Sequence, residues 1–246
     1  MYKKGIYTIR SNEPLTSSVW RMVLEGDTQW ITAPGQFVNI ELEGFFLRRP
    51  ISICDYDTQS ITLIYKVVGE GTTAMTKLVA GHSLDLLVGL GNGFDIAQGG
   101  QRELLVGGGV GVPPLYHLAK RLLSDGREVS VVLGFNTVSE VFYQHEFESL
   151  GCRVVVTTAD GSLGIRGFVT DALTQCGLLF DYFYACGPLP MLRALCKATS
   201  CEGQLSFEER MGCGFGACMG CSCKTLTGNK RICKEGPVLF KREILW

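Results

Sequence analysis

Residues 102–126 read RELLVGGGVGVPPLYHLAKRLLSDG. The apolar run Leu104-Leu105-Val106 enters the glycine turn Gly107-Gly108-Gly109-Val110-Gly111, and Val112-Pro113-Pro114 leads into a helical pattern. Strand, glycine turn and helix in that order open a βαβ unit. Glycines there let backbone approach a pyrophosphate at the helix N-terminus. The spacing departs from G-x-G-x-x-G, with Pro113 where flexibility would be wanted. Taken alone, the turn reads equally well as a tight connection that binds nothing.

The same alternation continues downstream. EVSVVLGFN (128–136) reads as a buried strand, EVFYQHEFESLG (140–151) as a helix and CRVVVTTAD (152–160) as a strand. DYFYACGP (181–188) is one more strand and LPMLRALCKATS (189–200) one more helix. Strands alternating with helices imply a parallel, doubly wound sheet. Thr157 to Ser162, including Asp160, follows one strand, and Cys186-Gly187-Pro188 follows another. Both then fall at the carboxyl edge of the sheet, where such folds bind ligands, although each is also ordinary loop chemistry.

Upstream, to about residue 98, the text changes to short β-rich runs separated by Gly, Pro and Asp: VWRMVLEG, QFVNIEL, ISICDY and SITLIYKVV. That rhythm predicts an antiparallel barrel or sandwich. Arg48-Arg49-Pro50-Ile51-Ser52 offers guanidinium groups able to grip a pyrophosphate bidentately and a hydroxyl able to bond a flavin ring edge. Ile64-Tyr65-Lys66 and Gly71-Thr72 add an aromatic, a cation and an anion-binding turn. In isolation these fragments are a solvated basic pair and a strand end. Standing before a nucleotide-binding half, they weigh differently.

Of eleven cysteines, six are scattered and read as small buried hydrophobes. The others crowd into ERMGCGFGACMGCSCKTLTGNKRICKEGPV (209–238). Cys213, Cys218 and Cys221 follow C-x4-C-x2-C and Cys233 comes later, which is the plant-type [2Fe-2S] pattern. The glycines among them allow a loop to aim sulfurs inward and backbone N–H groups at the cluster. The competing assignment is a structural zinc site, which usually shows two C-x2-C knuckles where only one occurs here. Cys223 is read as packing beside the site. A tail so short buries little core and needs a metal staple.

Composition bounds the rest. With 23 Lys+Arg against 24 Asp+Glu and a net charge of -1, the chain lacks the basic excess of a nucleic-acid binder. Only 3 histidines disfavour His-rich metal sites and triad hydrolases. The N-terminus has no signal-peptide core and no stretch is long enough to span a bilayer, so a cytoplasmic location is expected.

In this order RRPISI, IYKVVGEGT, VGGGVGVPPLY, ADGSLGIRG, ACGPLPML and ERMGCGFGACMGCSCK resemble the ferredoxin-reductase superfamily across essentially the whole chain. Within it they are most like the electron-transfer subunits of B-type dihydroorotate dehydrogenases. The resemblance implies an FAD-binding β-barrel over 1–98, an NAD-binding α/β domain over 99–200 and a [2Fe-2S] lobe over 201–246. Arg49, Pro50, Ile51 and Ser52 would hold FAD, with Ile64, Tyr65 and Lys66 along its ring and ribityl chain and Gly71 and Thr72 at its phosphates. Ile51 stands where the wider superfamily often has Tyr. Gly107, Gly108, Gly109, Gly111, Asp160, Cys186, Gly187 and Pro188 would hold NAD. Cys213, Cys218, Cys221 and Cys233 would hold the cluster.

The resemblance also implies a partner, an FMN-containing catalytic subunit that oxidises dihydroorotate in pyrimidine biosynthesis, assembled as a heterotetramer with two of each chain. Electrons would pass from FMN through the cluster and FAD to NAD. NAD moves electron pairs, a cluster moves single electrons and a flavin does both, so FAD stands between them. No acid–base residue of this chain is then expected to be essential. Preference for NAD over NADP comes from the resemblance alone; Arg127, Arg153 and Arg166 are the candidates for a 2′-phosphate clamp. Two other readings stay open: a diaphorase subunit serving ferredoxin, a hydrogenase or a glutamate synthase, and a zinc-stapled nucleotide-sensing module.

Overall fold

In the computed structural model, which describes residues 2–246, six antiparallel strands close an N-terminal barrel. They are β1 (Lys3–Pro14), β2 (Val19–Glu25), β3 (Phe37–Ile40), β4 (Arg49–Tyr56), β5 (Ser60–Lys66) and β6 (Ser83–Leu90), in the order β1-β2-β5-β4-β3-β6. Alternation of side chains sends Tyr7, Ile9, Met22, Leu24, Leu63 and Leu86 into the barrel core. A register shift between Ile9 and Ser11 bends β1, which pairs with β2 on one side and β6 on the other and so removes the free edges. One short helix, α1 (Glu70–Thr76), crosses from β5 to β6.

The second half is β7 (Arg102–Gly108), α2 (Pro114–Ser124), β8 (Glu128–Phe135), α3 (Gln144–Ser149), β9 (Arg153–Thr158), β10 (Ile165–Arg166), α4 (Val169–Gln175), β11 (Tyr182–Cys186), α5 (Leu189–Ala198) and β12 (Gly203–Ser206). The strands line up as β10-β9-β8-β7-β11-β12, all parallel. Pro113 caps α2 and Pro114 is its first residue. A prolyl nitrogen has no N–H to leave unsatisfied there, so Pro113 begins the helix rather than obstructing the turn.

Two stretches differ from the sequence reading. The helix expected over 140–151 is confined to α3, because a one-turn 3-10 segment at Val138–Glu140 and an extended Val141 precede it. The tail after Cys201 is less separate than its lack of periodicity suggests. After the hairpin β13 (Ser222–Thr225) and β14 (Gly228–Arg231), the strand β15 (Val238–Phe240) adds antiparallel to β12 and completes a seven-stranded sheet. Strands this short, covered by neighbours, carry too few residues to show a period.

Barrel and sheet share a core. Val19, Cys54 and Ile64 on the barrel exterior pack with Val112, Leu115 and Leu118 of the helix and its approach. No helix among the described residues is long and apolar enough to cross a membrane.

Candidate functional site

The two cations of the barrel motif have separate fates. Arg48 bonds Asp85 at 2.9 Å and also pairs with Glu41, so it ties the end of β3 and the start of β4 to β6. Arg49 makes no ion pair among the described residues. Its one hydrogen bond goes to the Leu47 carbonyl, and its guanidinium lies 4.8 Å over the Phe45 ring. That guanidinium rests against Gly71 in the first turn of α1, in space that a Cβ on Gly71 would fill. An unpaired guanidinium beside a helix start is the chemistry a diphosphate requires. Pro50, Ile51 and Ser52 follow along β4, all half-buried.

The remaining barrel candidates divide by strand geometry. Tyr65 points inward, 2% exposed, and its hydroxyl donates to Asn12 Oδ1 at 3.0 Å. Its ring is core, and only its backbone remains for a ligand. Ile64 faces the opposite way, into the joint with the second half. Lys66 is half-buried and makes no ion pair among the described residues. Thr72 Oγ1 accepts from the N–H groups of Val68 at 2.9 Å and Gly69 at 3.2 Å and donates to the Gly69 carbonyl, so the hydroxyl is spent on shaping the turn.

At the sheet, β7 and β11 are neighbours, with Gly107 level with Cys186. The glycine turn and Cys186-Gly187-Pro188 therefore meet at the carboxyl edge although about eighty residues separate them. The approach is close enough that a Cβ on Gly111 would overlap the Cys186 carbonyl. Gly109 adopts φ +52 with open space where its Cβ would be. Burial pushes the Cys186 thiol up to about 12 against the lowering effect of its bond to Ser206, so it is protonated at neutral pH. Asp160 sits at the same edge after β9, and its carboxylate accepts from Ser162 N at 3.0 Å and Ser162 Oγ at 2.6 Å. Those bonds hold it below the usual carboxylate range.

Among the three arginines considered for a 2′-phosphate, Arg127 bonds Glu103 at 2.6 Å and Arg153 the Cys176 carbonyl at 2.9 Å. Both stand at the opening ends of β8 and β9, away from the carboxyl edge. Arg166, level with Thr158, is the one at that edge.

The four clustered cysteines come together as two pairs. All four are free cysteines; Cys213 and Cys218 are hydrogen-bonded thiol to thiol, as are Cys221 and Cys233. Two thiols per metal is the donor set of a two-iron cluster. Ala217 N and Cys218 N donate to Cys213 Sγ at 3.2 and 3.4 Å, and Cys233 N to Cys221 Sγ at 3.4 Å. Burial opposes ionisation of Cys213, but these N–H groups with that of Phe215 outweigh it and bring the thiol down to about 6. Burial and then the neighbouring Cys221 and Cys213 push Cys233 up to about 12. The sulfurs are too close to ionise together without positive charge among them, so the residues fit a cluster.

Cys221 and Cys233 are buried against Phe37, Leu87 and Leu90 of the barrel, whereas Cys218 is exposed. Beside it Met219 is 55% exposed, with φ +62. Sequence reasoning missed the residues that seat this loop. Asn39 Nδ2 donates to the Cys213 carbonyl at 3.3 Å, and Arg231 Nη1 to the Gly216 carbonyl at 2.6 Å. Asn92 Nδ2 donates to the Val238 carbonyl at 2.7 Å while its Oδ1 accepts from Val238 N at 3.1 Å. The one signal was a polar residue inside an apolar strand, Asn39 in QFVNIEL. A cavity of about 620 Å³ between α5 and the C-terminal residues is lined by none of the expected site residues.

Comparison with known proteins agrees with this layout. Residues 208–245 match the family model described as the iron-sulfur cluster binding domain of dihydroorotate dehydrogenase B, and residues 105–197 that of the oxidoreductase NAD-binding domain. The chain is 44% identical to the dihydroorotate dehydrogenase B (NAD(+)) electron transfer subunit of Geobacillus sp. (strain WCH70), over 100% of both chains. It is 41% identical to that of Fusobacterium nucleatum subsp. nucleatum, over 96% of each. Among solved structures, one of the NADH-dependent reduced ferredoxin-NADP oxidoreductase superposes with a TM-score of 0.89 at 29% identity, covering 98% of this chain and 90% of that one. A ferredoxin NADP+ reductase from Neisseria gonorrhoeae, with a TM-score of 0.68 at 17% identity over 80% of this chain and 90% of its own, shares the fold.

Proposed function

The chain belongs to the family of dihydroorotate dehydrogenase B electron transfer subunits, and on that footing we propose that it relays reducing equivalents between NAD and a dihydroorotate-oxidising partner. The observation that carries this reading is the pairing of Cys213 with Cys218 and of Cys221 with Cys233 in a loop seated on the barrel. When bound, FAD supplies the exchange between electron pairs and single electrons, and a [2Fe-2S] cluster supplies the single-electron outlet.

The chain's own residues bind and orient. Arg49, laid against Gly71, grips the FAD diphosphate, and Ser52 offers its hydroxyl to the ring. Pro50, Ile51, Ile64, the Tyr65 backbone, Lys66 and Thr72 complete the cradle. Gly107, Gly108, Gly109 and Gly111 bring backbone to the NAD pyrophosphate, facing Cys186, Gly187 and Pro188, with Asp160 at the same edge. Cys213, Cys218, Cys221 and Cys233 hold the cluster, and N–H groups directed at their sulfurs tune its potential. The division is functional: 1–98 for FAD, 99–200 for NAD and 201–246 for the cluster, the last sharing β12 and β15 with the central sheet. The partner is an FMN-containing catalytic subunit in a cytoplasmic heterotetramer of pyrimidine biosynthesis. It approaches at Cys218, the exposed cysteine of the four.

The test is reconstitution. Dihydroorotate-dependent reduction of NAD should require both this chain and the FMN subunit, and neither alone should support it. The similarity to the NADH-dependent reduced ferredoxin-NADP oxidoreductase favours a second reading, a ferredoxin-linked diaphorase. Activity with ferredoxin, and none with the FMN subunit, would establish that reading instead.

A further inference from the structure

Asp55 lies on β4, a few residues past Ser52. His117 and Lys120 lie on α2, just past the glycine turn. One carboxylate thus bridges the strand of the flavin motif and the helix of the nucleotide motif. His117 Nδ1 is 2.7 Å from Asp55 Oδ1, and Lys120 Nζ is 2.9 Å from Oδ1 and 2.8 Å from Oδ2. The Tyr56 ring stacks on His117 at 4.1 Å and 25°. The group is partly shielded from water, with 24% of the Asp55 side chain and 11% of the His117 side chain exposed. Burial works against the carboxylate charge, but the bonds from His117 and Lys120 overcome it and keep Asp55 below its usual range.

Apolar contacts between β4 and α2 already bury the joint, through Cys54 with Leu115 and Leu118. Such contacts are non-directional and prescribe no particular pairing of groups across the joint. Charge-assisted hydrogen bonds are directional and fix one register. The register of α2 matters because its leading turn is Gly109–Gly111.

We infer that Asp55 is a positioning residue: by clamping His117 and Lys120 it sets the glycine turn at its working distance from Arg49–Ser52, and so governs hydride transfer between nicotinamide and flavin while touching neither. This rests on the relay function proposed above. Misplacement of reacting groups by about an ångström costs on the order of 100-fold in rate.

The test uses the purified complex with Asp55→Asn, and with Lys120→Met as the variant that leaves the apolar joint untouched. The limiting rate of NADH-driven flavin reduction should fall roughly 10- to 100-fold. The NADH concentration for half-saturation should change by less than about threefold, as it does when orientation rather than binding is lost. Flavin and iron contents should stay at wild-type levels. Amide hydrogen exchange across residues 109–120 should quicken, a readout independent of turnover. Wild-type rates with unchanged exchange in both variants would overturn the inference, as would a slower rate wholly explained by lost flavin. A wild-type protein that never reduces its flavin with NADH would instead refute the relay function, and the exchange result would still decide the clamp.

Discussion

Cys218→Ser should stop electron delivery to the FMN subunit while sparing NADH-driven reduction of the bound flavin. Cys218 pairs with Cys213 and is the exposed member of the four cysteines. Serine offers a harder, far less acidic donor than a thiolate, and soft thiolates are what iron-sulfur clusters select. Altering even an outer partner of a metal ligand costs 10- to 100-fold. Loss of a ligand should therefore cost at least about 100-fold in dihydroorotate-linked turnover. Flavin reduction should persist, because Arg49, Gly71 and the turn at Gly107–Gly111 belong to other elements than the cluster loop. Rapid-mixing absorbance with NADH under anaerobic conditions reads one half of the relay, and orotate formation reads the other. Loss of both in a folded variant would mean that the order of carriers is wrong.

Arg49→Ala should release FAD. Of the two adjacent arginines only Arg49 is without a carboxylate partner among the described residues; Arg48 is committed to Asp85 and Glu41. A hydrogen bond to a charged group contributes about 1.5–3 kcal/mol, so removing the guanidinium should weaken FAD binding roughly 10- to 100-fold. The α1 turn should survive, since Thr72 rather than Arg49 holds the N–H groups of Val68 and Gly69. The flavin-to-protein ratio after gel filtration checks this. Full occupancy in the variant would remove Arg49 from the diphosphate.

The layout explains which parts could be read from the chain. Cys213, Cys218 and Cys221 are close in sequence, so their spacing alone announces a cluster loop. The glycine turn was visible for the same reason, and strand-then-loop order placed it with Cys186–Pro188 at the carboxyl edge; that their two strands are immediate neighbours was not visible. Strands β7 and β11 are adjacent only because the sheet order runs out of sequence. Ile64 and Tyr65 share one expected role along the flavin, yet consecutive strand residues face opposite ways. Tyr65 went to the barrel core and Ile64 to the joint. Arg48 and Arg49 looked alike until Asp85 and Glu41, on other strands, claimed the first. The Asp55–His117–Lys120 clamp joins residues 62 and 65 positions apart, and no local pattern marks it. The sheet strands β12 and β15 were too short to declare themselves within a cysteine- and glycine-rich tail.

Electron paramagnetic resonance of the anaerobically purified protein after dithionite reduction tests the central claim most directly. A spin-one-half iron-sulfur signal near one spin per chain is expected, with about two irons and two sulfides. A silent spectrum from protein that contains zinc in place of iron would contradict it.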